Sequence, residues 1–220
     1  MCFVYGNYLY SGSYDFTIKQ WDIITGENTY TFTGHRSGVN SVFVSGNYLY
    51  SGSYDWTIKQ WDITTGENTY TFTGHTNWVS SVFVSGNYLY SGSGDKTIKQ
   101  WDITTGENTY NFTGHTDYVY SVFVSGNYLY SGSADKTIKQ WDITTGKNTY
   151  TFTGHTAGVL CVFVSGNSLY SGSYDTTIKQ WDITTGSNTY TFTGPVESVF
   201  VSGNYLYSGS DDNTIKQWYI

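Results

Sequence analysis

Apolar and polar positions fall in short runs along this chain, and the runs recur. From Val82 to Val84 three bulky apolar residues are followed by Ser85-Gly86-Asn87, then by Tyr88-Leu89-Tyr90-Ser91-Gly92-Ser93. Short runs rich in β-branched and aromatic residues, bounded by Gly and Asn, read as strands. Gly-Asn between two such runs signals a tight hairpin. The turn Gly94-Asp95-Lys96 ends the second strand, and Ile98-Lys99-Gln100-Trp101-Asp102 forms a third. Thr104-Thr105-Gly106-Glu107 is the next turn, and Asn108 to Thr113 is an outer strand ending at Gly114-His115. The pattern predicts an antiparallel meander of four strands with no helix.

That meander is repeated almost letter for letter. Trp21, Trp61, Trp101, Trp141 and Trp181 stand at intervals of 40, each followed by Asp, and Trp218 comes 37 later, followed by Tyr219. Gly-His recurs at Gly34-His35, Gly74-His75, Gly114-His115 and Gly154-His155. A period of about 40 opening on Gly-His and closing on Trp-Asp is the signature of a four-stranded propeller blade. Six blades are expected in one domain over 1–220, at approximately 1–34, 39–74, 79–114, 119–154, 159–194 and 198–220. The fold class is therefore all-β, a six-bladed propeller of four-stranded antiparallel blades whose last blade lacks its outer strand. Blade one starts inside its innermost strand without an entering Gly-His, and Pro195 replaces the His at the entry to blade six. Two closures are open at this junction: blade six packs on blade one without a sealing strand, or its edge pairs with a second chain. The open edge of the last blade, Thr214 to Tyr219, then invites self-association, because an uncovered edge strand is a template for pairing.

The pattern Gly-His, Val-x-Ser-Val, Ser-Gly-Ser-x-Asp-x-Thr-Ile, Trp-Asp resembles the WD40-repeat family, and it covers essentially the whole chain. The resemblance implies a hydrogen-bonded network in each blade of a His, a Ser, an Asp and the Trp. Carried over by position, the sets are His35, Ser51, Asp55, Trp61; His75, Ser91, Asp95, Trp101; His115, Ser131, Asp135, Trp141; and His155, Ser171, Asp175, Trp181. Ser53 and its equivalents, two residues on along the same strand face, are the alternative hydroxyls. Buried Trp N–H, imidazole and carboxylate groups need partners, so a satisfied set fixes the blade. His, Ser and Asp also suggest a hydrolytic triad, but catalysis calls for one distinct pocket, and this set occurs four times. One His per repeat, without a second His or Cys nearby, does not make a metal site. No enzyme activity, metal or cofactor is expected.

Charge narrows the partners. The net charge is −7, Arg36 is the only arginine, and most lysines occupy one repeated position from Lys19 to Lys216. Phosphate neutralisation needs clustered cations, so nucleic acid is not an expected ligand. No run approaches the roughly 18 apolar residues of a membrane helix, and Met1-Cys2-Phe3-Val4 leads straight into a repeat, so neither membrane nor signal peptide is expected. Cys2 and Cys161 form no CxxC pair and read as reduced thiols of a cytoplasmic protein.

The copies differ at two places. One precedes the innermost strand: Arg36, Ser37, Gly38 and Asn40; Asn77, Trp78 and Ser80; Asp117, Tyr118 and Tyr120; Ala157, Gly158 and Leu160. The other flanks the turn Asp: Tyr14 and Phe16, Tyr54 and Trp56, Gly94 and Lys96, Ala134 and Lys136, Tyr174 and Thr176, Asp211 and Asn213. In a meander both loops lie at the same end, on one rim of the ring. Aromatics stand there where Gly, Asn, Asp or Ser are the cheap residues, and clustered exposed aromatics mark interfaces. Drift at exposed turns would explain variation but not the choice of residues. The expected contact residues are Tyr14, Phe16, Arg36, Tyr54, Trp56, Trp78, Tyr118, Tyr120 and Tyr174.

The resemblance implies a non-catalytic platform for a protein or peptide bound on the variable rim. Near-identical copies support a second reading, a designed or recently amplified repeat protein with no specific partner. A third is a lectin-like propeller with one small ligand per blade, using the invariant polar positions.

Overall fold

A computed structural model describes residues 2–220. Among them are 23 strands and no helix, arranged as five four-stranded antiparallel sheets and a sixth of three strands. In every sheet the order follows the sequence. The fold class is the six-bladed β-propeller. Blade two sets the template: Val39–Ser45, Tyr48–Ser53, Ile58–Asp62 and Asn68–Phe72. Blade six comprises Ser198–Ser202, Tyr205–Gly209 and Ile215–Tyr219.

Two compact units divide the chain, one ending at Asn111 and the other beginning at Phe112. Within the first unit, adjacent blades bury a shared core. Tyr10, Ile18 and Phe32 of blade one pack with Val39, Val42, Val44, Leu49 and Trp61 of blade two. Blades two and three repeat the arrangement with Tyr50, Ile58 and Phe72 against Val79, Val82, Val84, Leu89 and Trp101. In the second unit Tyr130, Ile138 and Phe152 meet Val159, Val162, Val164, Leu169 and Trp181. The outer-strand Phe of one blade is set edge-on to the Trp of the next, as in Phe32–Trp61 at 5.9 Å and Phe152–Trp181 at 5.8 Å. Such aromatic pairs contribute about 0.5–1.5 kcal/mol beyond area burial. Each repeat therefore leaves half a core for its neighbour to finish, the physical basis of repeat architectures.

Local sequence explains the turns. Gly86, first in the hairpin turn, has φ +57°, a region glycine enters without steric cost. Gly34 has φ +147°, and a Cβ there would sit 3.2 Å from Trp61 Cη2, so the Gly of Gly-His lets the backbone lie against the blade Trp. The Asp of Trp-Asp closes the next turn: Asp62 Oδ1 accepts from the N–H groups of Thr64 and Thr65 at 2.8 and 2.9 Å. Those two donors hold the Asp62 carboxyl below its ordinary pKa.

Candidate functional site

The structure brings the four His, Ser, Asp and Trp sets together. In blade three the Trp101 indole N–H donates to Ser91 Oγ at 2.8 Å, the Ser91 hydroxyl meets His75 Nε2 at 2.7 Å, and His75 Nδ1 meets Asp95 Oδ2 at 2.6 Å. The other three sets repeat the order, with His–Ser distances of 2.7 Å and His–Asp distances of 2.7 or 2.8 Å. The proton count is self-consistent. The indole can only donate, so Ser91 accepts there and gives its one proton to Nε2. A neutral imidazole then carries its proton on Nδ1 and donates it to the carboxylate. Asp95 Oδ1 accepts from the Thr97 N–H and hydroxyl, and Oδ2 also accepts from the Thr76 N–H. Burial by itself would raise the Asp95 carboxyl, but the hydrogen bonds from His75, Thr97 and Thr76 overcome it and hold it far below the carboxylate range. Asp55 and Asp135 are held down in the same way, and Asp175 in the same direction. Burial pushes the His155 imidazole below its ordinary value against the pull of Asp175.

Ser51 Oγ is the network hydroxyl of blade two; Ser53, the alternative, serves the turn. Its Oγ accepts from Asp55 N–H and donates to Ser37 O. Blades one and six keep only the Trp–Ser half, Trp21 to Ser11 at 2.9 Å and Trp218 to Ser208 at 3.1 Å. Connectivity from Ser through His to Asp is that of a hydrolytic triad, but Ser51, Ser91, Ser131 and Ser171 are wholly buried. Each hydroxyl already bonds an indole and an imidazole, leaving no approach for an acyl carbon.

The variable residues gather where each blade's entering loop meets its second turn. The loop's carbonyl accepts from the turn's N–H in the same way in four blades: Tyr54 N to Gly38 O, Gly94 N to Trp78 O, Ala134 N to Tyr118 O and Tyr174 N to Gly158 O, at 2.8–3.0 Å. The first strand carries a β-bulge beside this point, with Asn40, Ser80, Tyr120 and Leu160 as the extra residues. Bulges re-aim side chains; their positions are invisible to a period-two pattern.

In the first unit Tyr14 stacks on Tyr54 with ring centroids 5.7 Å apart and hydroxyls at 3.3 Å, and Tyr54 meets Trp78 at 5.8 Å. In the second unit Tyr120 meets Tyr174 edge-on at 6.1 Å, and burial raises the Tyr120 phenol. Tyr118 is exposed in that unit. Arg36 is exposed and lends its backbone N–H to Asp55. Phe16 and Trp56 occupy the left-handed region, φ +74° and +70°, with about half of each side chain exposed. That backbone disfavours bulky residues.

The invariance of the opposite end has a structural cause. A Cβ on Gly66 would collide with the Tyr30 ring of the preceding blade, and Tyr70 stands the same way against Gly106. Packing thus fixes the glycine of these turns, while the Ser-Gly-Asn hairpins beside them have open space around Gly46 and Gly86 and need glycine for its positive φ.

Blades of this construction, with a repeated internal network, define a propeller of the Trp-Asp type. The family model described as "WD domain, G-beta repeat" matches residues 3–22, 26–62, 66–102, 106–142, 146–182 and 186–219. The chain belongs to the WD40 family. No curated protein matches it in sequence. Among solved structures it is similar to the computationally designed Ika8 protein, at 36% identity and a TM-score of 0.86, over 100% of this chain and 70% of that one. It is also similar to the WD40 β-propeller domain of Doa1, at 30% identity and a TM-score of 0.88, over 96% of this chain and 74% of that one. WD40 propellers are typically protein-interaction scaffolds.

Proposed function

We propose that this protein is a non-catalytic platform that binds a protein or peptide at the variable end of its blades. One observation carries the reading: exposed aromatics cluster at the variable turns, two of them, Phe16 and Trp56, in left-handed backbone. Tyr14 is 74% exposed, Tyr174 57%, and Trp56, at 52%, sits in left-handed backbone. Burial does not account for this placement, and the same left-handed position carries Lys96, Lys136, Thr176 and Asn213 in other blades, so the turn itself does not call for a ring. Aromatics bring large contact area with few rotors to freeze. The buried Ser–His–Asp sets hold the blades in shape and have no substrate route, which supports a scaffold over a hydrolase.

The test is selection of ligands from a random-peptide display on the intact chain, followed by affinity measurement on variants. Tyr54→Ala and Tyr174→Ala are expected to weaken selected ligands at least tenfold, and Glu107→Ala at the opposite end to leave them unchanged. The reverse pattern would place binding on the other face.

The second reading is a designed or recently amplified repeat protein kept for its fold. The near-identity of its copies and the likeness to a computationally designed protein favour it. Display that yields no ligand above a scrambled control would select this reading.

A further inference from the structure

The loop and turn residues that share a hydrogen bond in blades two to five obey a size rule. One is aromatic and the other is Gly or Ala: Gly38 with Tyr54, Trp78 with Gly94, Tyr118 with Ala134, Gly158 with Tyr174. The element supplying the ring changes, and the ring does not disappear. Space for only one side chain explains why both are not large: a Cβ on Gly38 would lie 2.8 Å from Tyr14 Cδ1 and 3.3 Å from Tyr54 Cδ2, and one on Gly94 would lie 2.7 Å from Trp78 Cε2. It does not explain why none of the four blades has two small residues. Blade six has Asp211 at the turn position and still forms its sheet, so a blade does not need the ring to fold.

We propose that the rings of Tyr14, Tyr54 and Trp78, all within the first unit, form a docking strip for an extended, proline-rich peptide in the polyproline II conformation. The inference rests on the reading of this end as a binding surface. In the first unit Tyr14, Tyr54 and Trp78 make a row with steps of 5.7 and 5.8 Å. Two residues of polyproline II advance about 6 Å, so alternate residues of such a ligand keep pace with the rings. The turn backbone is committed: the N–H groups of Tyr54 and Gly94 go to loop carbonyls, and those of Trp56 and Lys96 go to Ser53 and Ser93. A ligand that adds as a β-strand has no ladder to join there. Polyproline II needs none, since it has no internal hydrogen bonds and proline brings no N–H to satisfy. Its solvated carbonyls accept from hydroxyls, and the Tyr14 side chain, on a residue 74% exposed, carries one. Aromatic-lined surfaces are the recurrent partners of such segments. A shallow depression lined by Gly12, Ser13, Tyr14, Val39 and Asn40 adjoins the row and offers a seat for one pyrrolidine ring.

The test is fluorescence anisotropy with fluorescein-labelled decaproline, beside Gly-Ser and Lys-Gly decapeptides bearing the same label. Decaproline is expected to bind saturably, at least tenfold tighter than either control peptide. Tyr14→Ala is expected to weaken it at least fivefold with an unchanged circular-dichroism melt, and Glu107→Ala to leave it unchanged. The exchange Trp78→Gly with Gly94→Tyr, which moves the ring from loop to turn, is expected to retain binding. Absence of saturable decaproline binding would overturn the inference. If instead the Gly-Ser or Lys-Gly peptide binds in a Tyr14-sensitive way, the partner class is wrong and the binding end is right. Binding lost with Glu107→Ala alone would sink both.

Discussion

At the scale of the residue, the blade is held by a line of donors and acceptors with no slack. Indole, hydroxyl, imidazole and carboxylate each have a defined role, and among the described residues no buried side-chain N or O lacks a partner. Removing one member strands the others, and an unsatisfied buried group costs about 1–3 kcal/mol. Asp95→Ala is therefore expected to lower stability by about that amount in a chemical-denaturation experiment. Asp15→Ala is the contrast: blade one has no entering His, and Asp15 is exposed with only local turn bonds to Thr17 and Ser13, so its loss is expected to cost less. Equal losses would show that the carboxylate acts only as a turn cap.

At the scale of the element, loop and turn are coupled through the shared volume between them. Gly94→Tyr alone forces a ring against Trp78, and Trp78→Gly alone leaves a gap over Gly94, while the double exchange reproduces the arrangement of Gly38 and Tyr54. A double-mutant cycle is expected to give a coupling energy within the 0.5–3 kcal/mol seen for residues in contact; additive effects would refute the size rule. This coupling also marks the limit of what the chain discloses as text. Strands, hairpins and blade count were legible because the hydrophobic period, Gly-Asn turns and Trp spacing are local signals. The His, Ser and Asp sets were legible through the likeness to WD40 repeats, carried over by position. The bulge at Asn40, Ser80, Tyr120 and Leu160 was not, because an extra residue leaves the composition of a strand unchanged. Nor was the dependence of Gly38 on Tyr14 and Tyr54, since a small residue in one copy reads as tolerance when it is in fact the complement of two rings, one of them from the preceding blade. At the opposite end the contact of Tyr30 with Gly66 was likewise illegible, because it joins residues of different blades.

At the scale of the whole molecule, the repeated networks make stability depend on pH in a set direction. Asp55, Asp95, Asp135 and Asp175 all have folded values below their ordinary ones. A carboxylate depressed in the folded state stabilises fully above its unfolded value of about 4, and that contribution is lost as pH falls through the folded value. His155 is depressed as well, so the folded state resists its protonation and its contribution is lost below about 6.5. Thermal midpoints are expected to be flat from about pH 7 to 8, to decline slightly below 6.5, and to fall steeply below 4. A midpoint that rises between pH 7 and 5 would contradict the assigned protonation order. Within each unit neighbouring blades share a core, and in a repeat array such losses are expected to sum.

Cys161 takes the place that serines hold elsewhere, where Ser41 and Ser121 accept from the backbone of Val82 and Val162. Burial pushes its thiol up to about 12, while Cys2 lies at the surface. The two sulfurs thus form a clock with a fast hand and a slow one. An aromatic disulfide reagent at neutral pH should consume one thiol at once and the second only when blades five and six part. The slow rate then times that opening directly, under native conditions and without a label. Two equally fast reactions would mean that this seam breathes freely.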